Sequence, residues 1–219
     1  MGTRLPIFPL GTVLVPGLVL PLHVFEPRYR VLIEALMALP EGAPRQFGVI
    51  ALRNGSETGG QGAPDLHAVG CTAELREVTP YADGRFDIVG VGETRFRLIG
   101  LDTDAGTPYH TGNVEFLPES DGDGDVEQLS SRVTQLFADY RASLGVEVSA
   151  LPEDPQVVSY LVAAAVVLYL SDRQALLEQP TNADRLRAER DLLRRECALV
   201  KAFRALPAVE LAKGPVSSN

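Results

Sequence analysis

The sequence predicts an α+β protein: a small, partly closed β-barrel with one early helix, followed by a small α-helical bundle. Three observations carry that expectation. Up to about residue 119 the chain is written in short apolar runs with the two-residue period of strands, interrupted once by a helical spacing. At Ser120-Asp121-Gly122-Asp123-Gly124-Asp125 the composition changes abruptly, and beyond it apolar residues recur at helical spacing. Finally, 219 residues with 45% hydrophobic and 22% charged side chains are globular in composition. A chain of that size hides about 70% of its unfolded surface on folding, enough for a genuine core. The expected division is residues 1–119 for the barrel, 120–125 for an acidic linker, 126–206 for the bundle and 207–219 for a flexible tail.

Each element has a local reason. Pro6, Pro9, Pro16 and Pro21 interrupt the opening run of Leu, Val, Ile and Phe, which excludes a continuous helix and disfavours a central strand. Short edge strands joined by a buried turn are expected instead. Glu26-Pro27 opens a helix whose apolar face is Tyr29, Leu32, Ile33, Leu36 and Met37. Phe47 to Leu52 reads as a buried strand, and the polar, glycine-rich stretch Asn54 to Asp65 as a mobile surface loop. Val69 to Val78 and Arg85 to Leu101 are strands joined by the turn Tyr81-Ala82-Asp83-Gly84, with Gly90 and Gly92 marking a bulge or bend. A last strand spans about His110 to Leu117.

The helices follow. Leu129, Val133, Leu136, Phe137 and Tyr140 mark a first one, ended near Gly145, and Gln156 to Leu170 a second. Ser171 with Gln174 has capping-box spacing for a third through Gln179, and Thr181 with Asp184 a looser version for a fourth reaching Leu206. Leu192, Leu199, Phe203 and Leu206 give that fourth helix an apolar stripe. The uncharged segment Tyr160 to Leu170 is shorter than the ~20 residues a membrane span needs and reads as a bundle-core helix.

Charge narrows the function classes. The net charge of −9 is shared, since residues 1–119 hold 9 basic and 14 acidic side chains and residues 120–219 hold 11 and 15. Long-range attraction to nucleic acid or an anionic membrane is disfavoured. Cys71 and Cys197 fall in strand-like and helix-like patterns as small buried residues, and the prolines break any secretory signal, so a cytoplasmic setting is expected.

Motif by motif, no catalytic constellation stands out. Asp121-x-Asp123-x-Asp125 resembles a calcium loop, but Val126 replaces the glycine and Arg132 the bidentate glutamate, so it reads as an acidic linker. Gly90-x-Gly92-x-x-Arg95 lacks the third glycine of a dinucleotide fingerprint and lies inside a strand. His23, His67 and His110 have no ligand spacing, so neither metal nor cofactor is expected. Phe25, Arg28 and Tyr29 form an aromatic and arginine cluster at a helix start, suited to anchoring a peptide or to packing the helix on the barrel. Arg95 and Arg97 share a strand face and either grip a carboxylate or solvate that face.

The opening from Leu5 through Phe25-Glu26-Pro27-Arg28-Tyr29 resembles the N-terminal, substrate-binding domain of Lon proteases. Val69-Gly70-Cys71-Thr72 with Asp83-Gly84-Arg85, the strand with Gly92 three residues before Arg95, Asp154-Pro155, and Leu170-Ser171-Asp172 through Arg185-Leu186 continue the resemblance over about residues 5–206. The departure is Cys71, where threonine is usual. The resemblance implies a PUA-like pseudo-barrel and a helical bundle that help capture unfolded or tagged polypeptide, in a stand-alone member without ATPase or peptidase domains. No G-x-x-x-x-G-K-[ST] loop is present, and the lysines Lys201 and Lys213 stand in no comparable setting.

The expected function is therefore non-catalytic polypeptide binding, as a substrate-recognition protein or an adaptor to a protease or chaperone. Its candidate contacts are Phe25, Arg28, Tyr29, Arg95 and Arg97. The alternatives are a small-molecule or enzymatic module with its site between barrel and bundle, and, less favoured by charge, an RNA-binding PUA-like protein.

Overall fold

The computed structural model describes residues 2–53, 64–146 and 150–205, the last three without their side chains. Six strands come first: β1 (Thr3–Leu10), β2 (Val19–Val24), β3 (Gln46–Ala51), β4 (Val69–Pro80), β5 (Phe86–Leu101) and β6 (His110–Phe116). Helix α1 (Pro27–Met37) interrupts them after β2. Helices α2 (Val126–Ser143), α3 (Pro155–Ala165), α4 (Leu170–Leu177) and α5 (Asn182–Ala205) follow. The expected α+β class holds. The expected loop from Asn54 falls almost wholly outside the described residues, as do the side chains of Phe203 and Leu206 and the tail from 207.

The sheet runs β2-β5-β4-β3-β1-β6, and pairing of β5 with β6 closes it into a ring. Strand β5 makes closure possible through its length. Its first part pairs with β2 from Phe86 to Val91 and its last part with β6 from Phe96 to Leu101, while β4 lies along its other side. Register shifts between Cys71 and Ala73 and between Leu75 and Glu77 flank the positions facing Gly92 and Gly90, so the glycines do sit where the ladder bends. Gly92 has a second reason. A Cβ there would lie 2.2 Å from the Val15 carbonyl oxygen, because the turn between β1 and β2 crosses at that point: Gly17 N–H donates to Gly92 O and Gly92 N–H to Leu18 O. Val13, Leu14 and Val15 of that turn are buried, as expected.

One expectation fails at β1. The prolines predict an edge strand, yet β1 lies between β3 and β6. The register explains how. Pairing with β6 covers Thr3 to Ile7 and pairing with β3 covers Ile7 to Leu10, so Pro6 and Pro9 each lie in a stretch with one neighbour. Three residues apart in a two-residue period, their ring nitrogens point to opposite sides of the strand. Leu10 O accepts from Leu52 N–H on the β3 side, so Pro9 faces away from β3, where β6 has already ended.

Helix α1 buries Tyr29, Leu32, Ile33 and Leu36 against Phe8, Phe47, Cys71 and Ile88. Met37 is exposed instead of joining that face. The helices α2, α3 and α5 form a second core from Val133, Phe137, Val158, Val162, Leu186 and Leu193. Between the two, Val13, Val15, Ala51 and Val69 meet Tyr160 and Leu177.

Three helix details depart from expectation. Helix α3 stops at Ala165 rather than Leu170: Val166 is extended and buried, leaving Val167 and Tyr169 exposed. A β-branched Val-Val pair with no capping glycine is a poor continuation. The Ser171 and Gln174 box does not form, because α4 starts at Leu170 and buried Gln174 donates to Val69 O at 2.9 Å. The Thr181 and Asp184 box does form, with Asp184 N–H donating to Thr181 Oγ1 at 3.1 Å. In α5 the fully buried stripe is Asn182, Ala183, Arg185, Leu186, Glu189 and Leu193, whereas Leu199 is exposed.

Candidate functional site

Two places gather the residues that carry chemistry. The first lies at the start of α1. Strand β2 delivers Val24 into the core, Phe25 follows in the connection, and Pro27 fixes the first helical turn, so Phe25 is left pointing outward and 62% exposed. Beneath it is an apolar cleft of about 130 Å³ bounded by Phe8, Leu10, Leu22, Val24, Phe25 and Tyr29. Tyr29 forms its floor: 1% exposed, it stacks on Phe8 with ring centroids 3.9 Å apart. Arg28 stands over the Tyr29 ring at 4.5 Å and donates from Nε to Glu26 at 2.9 Å.

On the rim, His23 lies 6.3 Å from the Phe25 ring, and its Nδ1 is 2.6 Å from Asp87 Oδ1. Asp87 also accepts from the Tyr81 hydroxyl, and the two hydrogen bonds hold its carboxyl below the usual carboxylate range. The Arg28–Glu26 and His23–Asp87 pairs beside an apolar cleft suit contact with a side chain.

The second place lies where the helices meet the sheet. Arg95 is 1% and Arg185 0% exposed, and both engage Glu119: Arg95 Nε to Oε1 at 2.7 Å and Arg185 Nη2 to Oε2 at 3.3 Å. Arg95 Nη1 also donates to the carbonyls of Leu177 and Gln179, at 2.9 and 2.5 Å. Arg185 donates to Ser159 Oγ and to the Tyr160 hydroxyl, which in turn donates to Glu119 at 2.7 Å. Burial pushes the Tyr160 hydroxyl up, so it stays protonated and donates. This cluster ties β5, α3, α4 and α5 together.

The structure thus separates the sequence candidates. Phe25 shares the cleft with Tyr29, which is floor rather than surface, and Arg28 stands beside it over the Tyr29 ring. Arg95 does grip a carboxylate, but an internal one, and it is not solvating a face. Arg97 is exposed on β5, eleven residues beyond the Phe86 that pairs with Val24, on the order of 35 Å in extended strand. Sequence reasoning missed Glu119, Tyr160 and Arg185. The available signal was Asn182, Arg185 and Glu189 recurring at helical spacing beside Ala183, Leu186 and Leu193, polar residues on what had to be a buried face.

Among the other candidates, Asp125 accepts from Gln128 N–H as the cap of α2, and Asp121 O accepts from Ala183 N–H, so the acidic run is fastened to two helix starts. Cys71 is buried, and burial pushes its thiol far up, which leaves it inert as a nucleophile. Four arginines along α5 are paired: Arg187 with Asp184, Arg190 and Arg194 with Asp191, and Arg195 with Asp172. Among the described residues, no helix is long and apolar enough to cross a membrane.

Glu189 makes a pH prediction. It is 1% exposed, one helical turn from Arg185, and burial raises its carboxyl well above the ordinary range while Arg185 pulls the other way. A carboxyl with a raised value in the folded state favours folding when protonated. That contribution is complete below the unfolded value and is lost as pH rises through the folded one. Glu189→Gln, which stays neutral, is therefore expected to match the wild type near pH 4 and to become the more stable by up to about 1.4 kcal/mol per pH unit above that. Thermal midpoints of both proteins from pH 4 to 8 check it, and parallel curves would refute it.

The model of the substrate-binding domain of the ATP-dependent protease La (Lon) matches residues 4–195. The chain belongs to the Lon substrate-binding domain family. Lon protease 2 of Syntrophobacter fumaroxidans is 31% identical over 188 residues, covering 81% of this chain and 22% of that protein. Lon protease 1 of Herpetosiphon aurantiacus is 26% identical over 198 residues, covering 85% and 23%. The chain thus spans less than a quarter of the length of these Lon relatives. Among solved structures, a Lon N-terminal domain protein from Xanthomonas campestris superposes with a TM-score of 0.63 at 25% identity, covering 88% of this chain and 98% of that one. The N-terminal domain of the Mycobacterium avium complex Lon protease has the same fold, with a TM-score of 0.66 at 19% identity.

Proposed function

We propose that this chain is a non-catalytic polypeptide-recognition module serving proteolysis, either as a substrate-recognition part or as an adaptor to a protease or chaperone. The observation that carries the reading is Phe25, a large aromatic side chain 62% exposed beside an apolar cleft. An aromatic anchor of this kind desolvates much area at small entropic cost. Arg28, on the same rim, supplies the polar margin that such patches carry. In this reading residues 1–119 bear the recognition surface, and residues 126–206 brace the sheet from behind. Membership of a family described by substrate binding supports the same reading. Two free cysteines support a reducing, cytoplasmic setting.

The test is titration of fluorescently labelled unfolded casein. Phe25→Ala is expected to weaken binding by about 2 kcal/mol, roughly thirtyfold, with an unchanged melting temperature, because the side chain it removes is exposed. Unchanged affinity in a folded Phe25→Ala protein would overturn the assignment of the anchor.

A further inference from the structure

Strand β2 is the free edge of the ring, hydrogen-bonded to β5 alone among the described strands. Its register fixes which backbone groups face outward. Leu18 O accepts from Gly92 N–H, so Leu20, Leu22 and Val24 face β5 in turn, and Val19, Pro21 and His23 turn their backbone groups away from it. The outward row therefore offers N–H and C=O at Val19 and at His23, and a carbonyl alone at Pro21. Side chains alternate with the same period. Leu20 and Val24 point into the core, and the inner face of a strand laid alongside β2 continues over Leu22 and Val24. That is where the cleft lies, bounded on its far side by Phe8 and Leu10. Among the described strands, the Phe8 to Leu10 end of β1 likewise has no partner on the side away from β3.

We propose that an extended polypeptide segment adds to the outer edge of β2, pairing its backbone with His23 and Val19 and seating one large apolar side chain in the cleft beside Phe25. This rests on the polypeptide-binding reading and names its substrate class: unfolded segments able to adopt a strand, with an apolar residue at alternate positions. Backbone hydrogen bonds carry no sequence information, so an edge of this kind accepts many segments and discriminates only through the cleft. A volume of about 130 Å³ admits one side chain, not a folded surface. Pro21 has a complementary effect. By removing the central outward donor it leaves the edge too weak to pair along its whole length with a second edge, the usual hazard of an open strand.

The probe is a fluorescein-labelled ten-residue peptide alternating leucine and serine, titrated in three forms: unmodified, N-methylated at every leucine, and N-methylated at every serine. In a strand, amide direction and side-chain face alternate together, so only one methylated class blocks the edge: the serines if the added strand is antiparallel, the leucines if it is parallel. Edge pairing predicts saturable binding of the unmodified peptide, at least tenfold weaker binding of one methylated form, and less than a twofold change for the other. The amide of His23 should exchange at least tenfold more slowly with the peptide bound, and Pro21→Val, which restores an outward N–H, should tighten binding severalfold. Saturable binding with both methylated forms within twofold and no change at His23 would overturn edge pairing and leave the polypeptide reading standing. Absence of saturable binding up to millimolar peptide would overturn both.

Discussion

Glu119→Gln is expected to destabilise the folded chain by about 3 kcal/mol, because it removes the carboxylate shared by two buried guanidinium groups. Breaking one partner of a buried ion pair costs about 3–5 kcal/mol, chiefly the penalty of leaving a charge unpaired out of water. The lower end applies because the Glu119 side chain is 25% exposed. Arg95 keeps the Leu177 and Gln179 carbonyls, and Arg185 keeps Ser159 and Tyr160, so the hydrogen-bond count falls modestly. The charge balance changes more. Glu119 is the carboxylate that engages both cations, Arg95 and Arg185. For a chain of this length the loss corresponds to a fall in melting temperature on the order of 10 °C. Urea denaturation of Glu119→Gln beside Glu115→Gln, an exposed position that should stay within about 0.5 kcal/mol of wild type, measures it. A loss below about 1 kcal/mol would mean that water reaches the arginines and that the cluster does not fasten the helices to the sheet.

What the sequence disclosed and what it hid divide along the range of the interactions. The β4 and β5 hairpin was legible because its period and its turn are local: Gly84 adopts φ +81° and Tyr81 N–H meets Arg85 O, as an Asp-Gly turn demands. The buried face of α1 was legible for the same reason, apart from Met37. The place of β1 inside the ring was not, since it depends on where β3 and β6 begin and end, and no local pattern states that. Nor was the fate of Arg95. A two-residue period places Arg95 and Arg97 on one face, but only the distant Glu119, Leu177 and Gln179 decide that the first is buried while the second remains exposed. In α5 the apolar residues suggested a stripe through Leu192 and Leu199, whereas the buried stripe carries Asn182, Arg185 and Glu189. The burial of Arg185 follows from partners 26 and 66 residues away in sequence, at Ser159 and Glu119. At the candidate site, Phe25 and Tyr29 were found together, but sequence spacing could not say which was floor and which was rim.

Tyr29→Ala is expected to cost about 3–5 kcal/mol of stability, in contrast to Phe25→Ala four residues earlier, which should cost almost none. The difference is burial: Tyr29 is 1% and Phe25 62% exposed. Truncating Tyr29 removes a ring stacked on Phe8 at an interplanar angle of 10° and in the same cluster as Leu32, Ile33 and Phe47. The space left cannot collapse, because Phe8 is held in β1 and α1 is anchored by Leu32, Ile33 and Leu36. It would instead merge with the cleft of about 130 Å³ above it and widen the opening under Phe25. Tyr29→Phe keeps the stacked ring and should retain most of the stability, which separates packing from the hydroxyl. Urea denaturation of the three variants gives the stabilities, and casein titration at a temperature where all remain folded gives the affinities. The expected pattern is crossed, with Tyr29→Ala losing mainly stability and Phe25→Ala mainly affinity. If Phe25→Ala instead unfolds as readily as Tyr29→Ala, the aromatic at the head of α1 is part of the core, and the cleft has no anchor to offer a polypeptide.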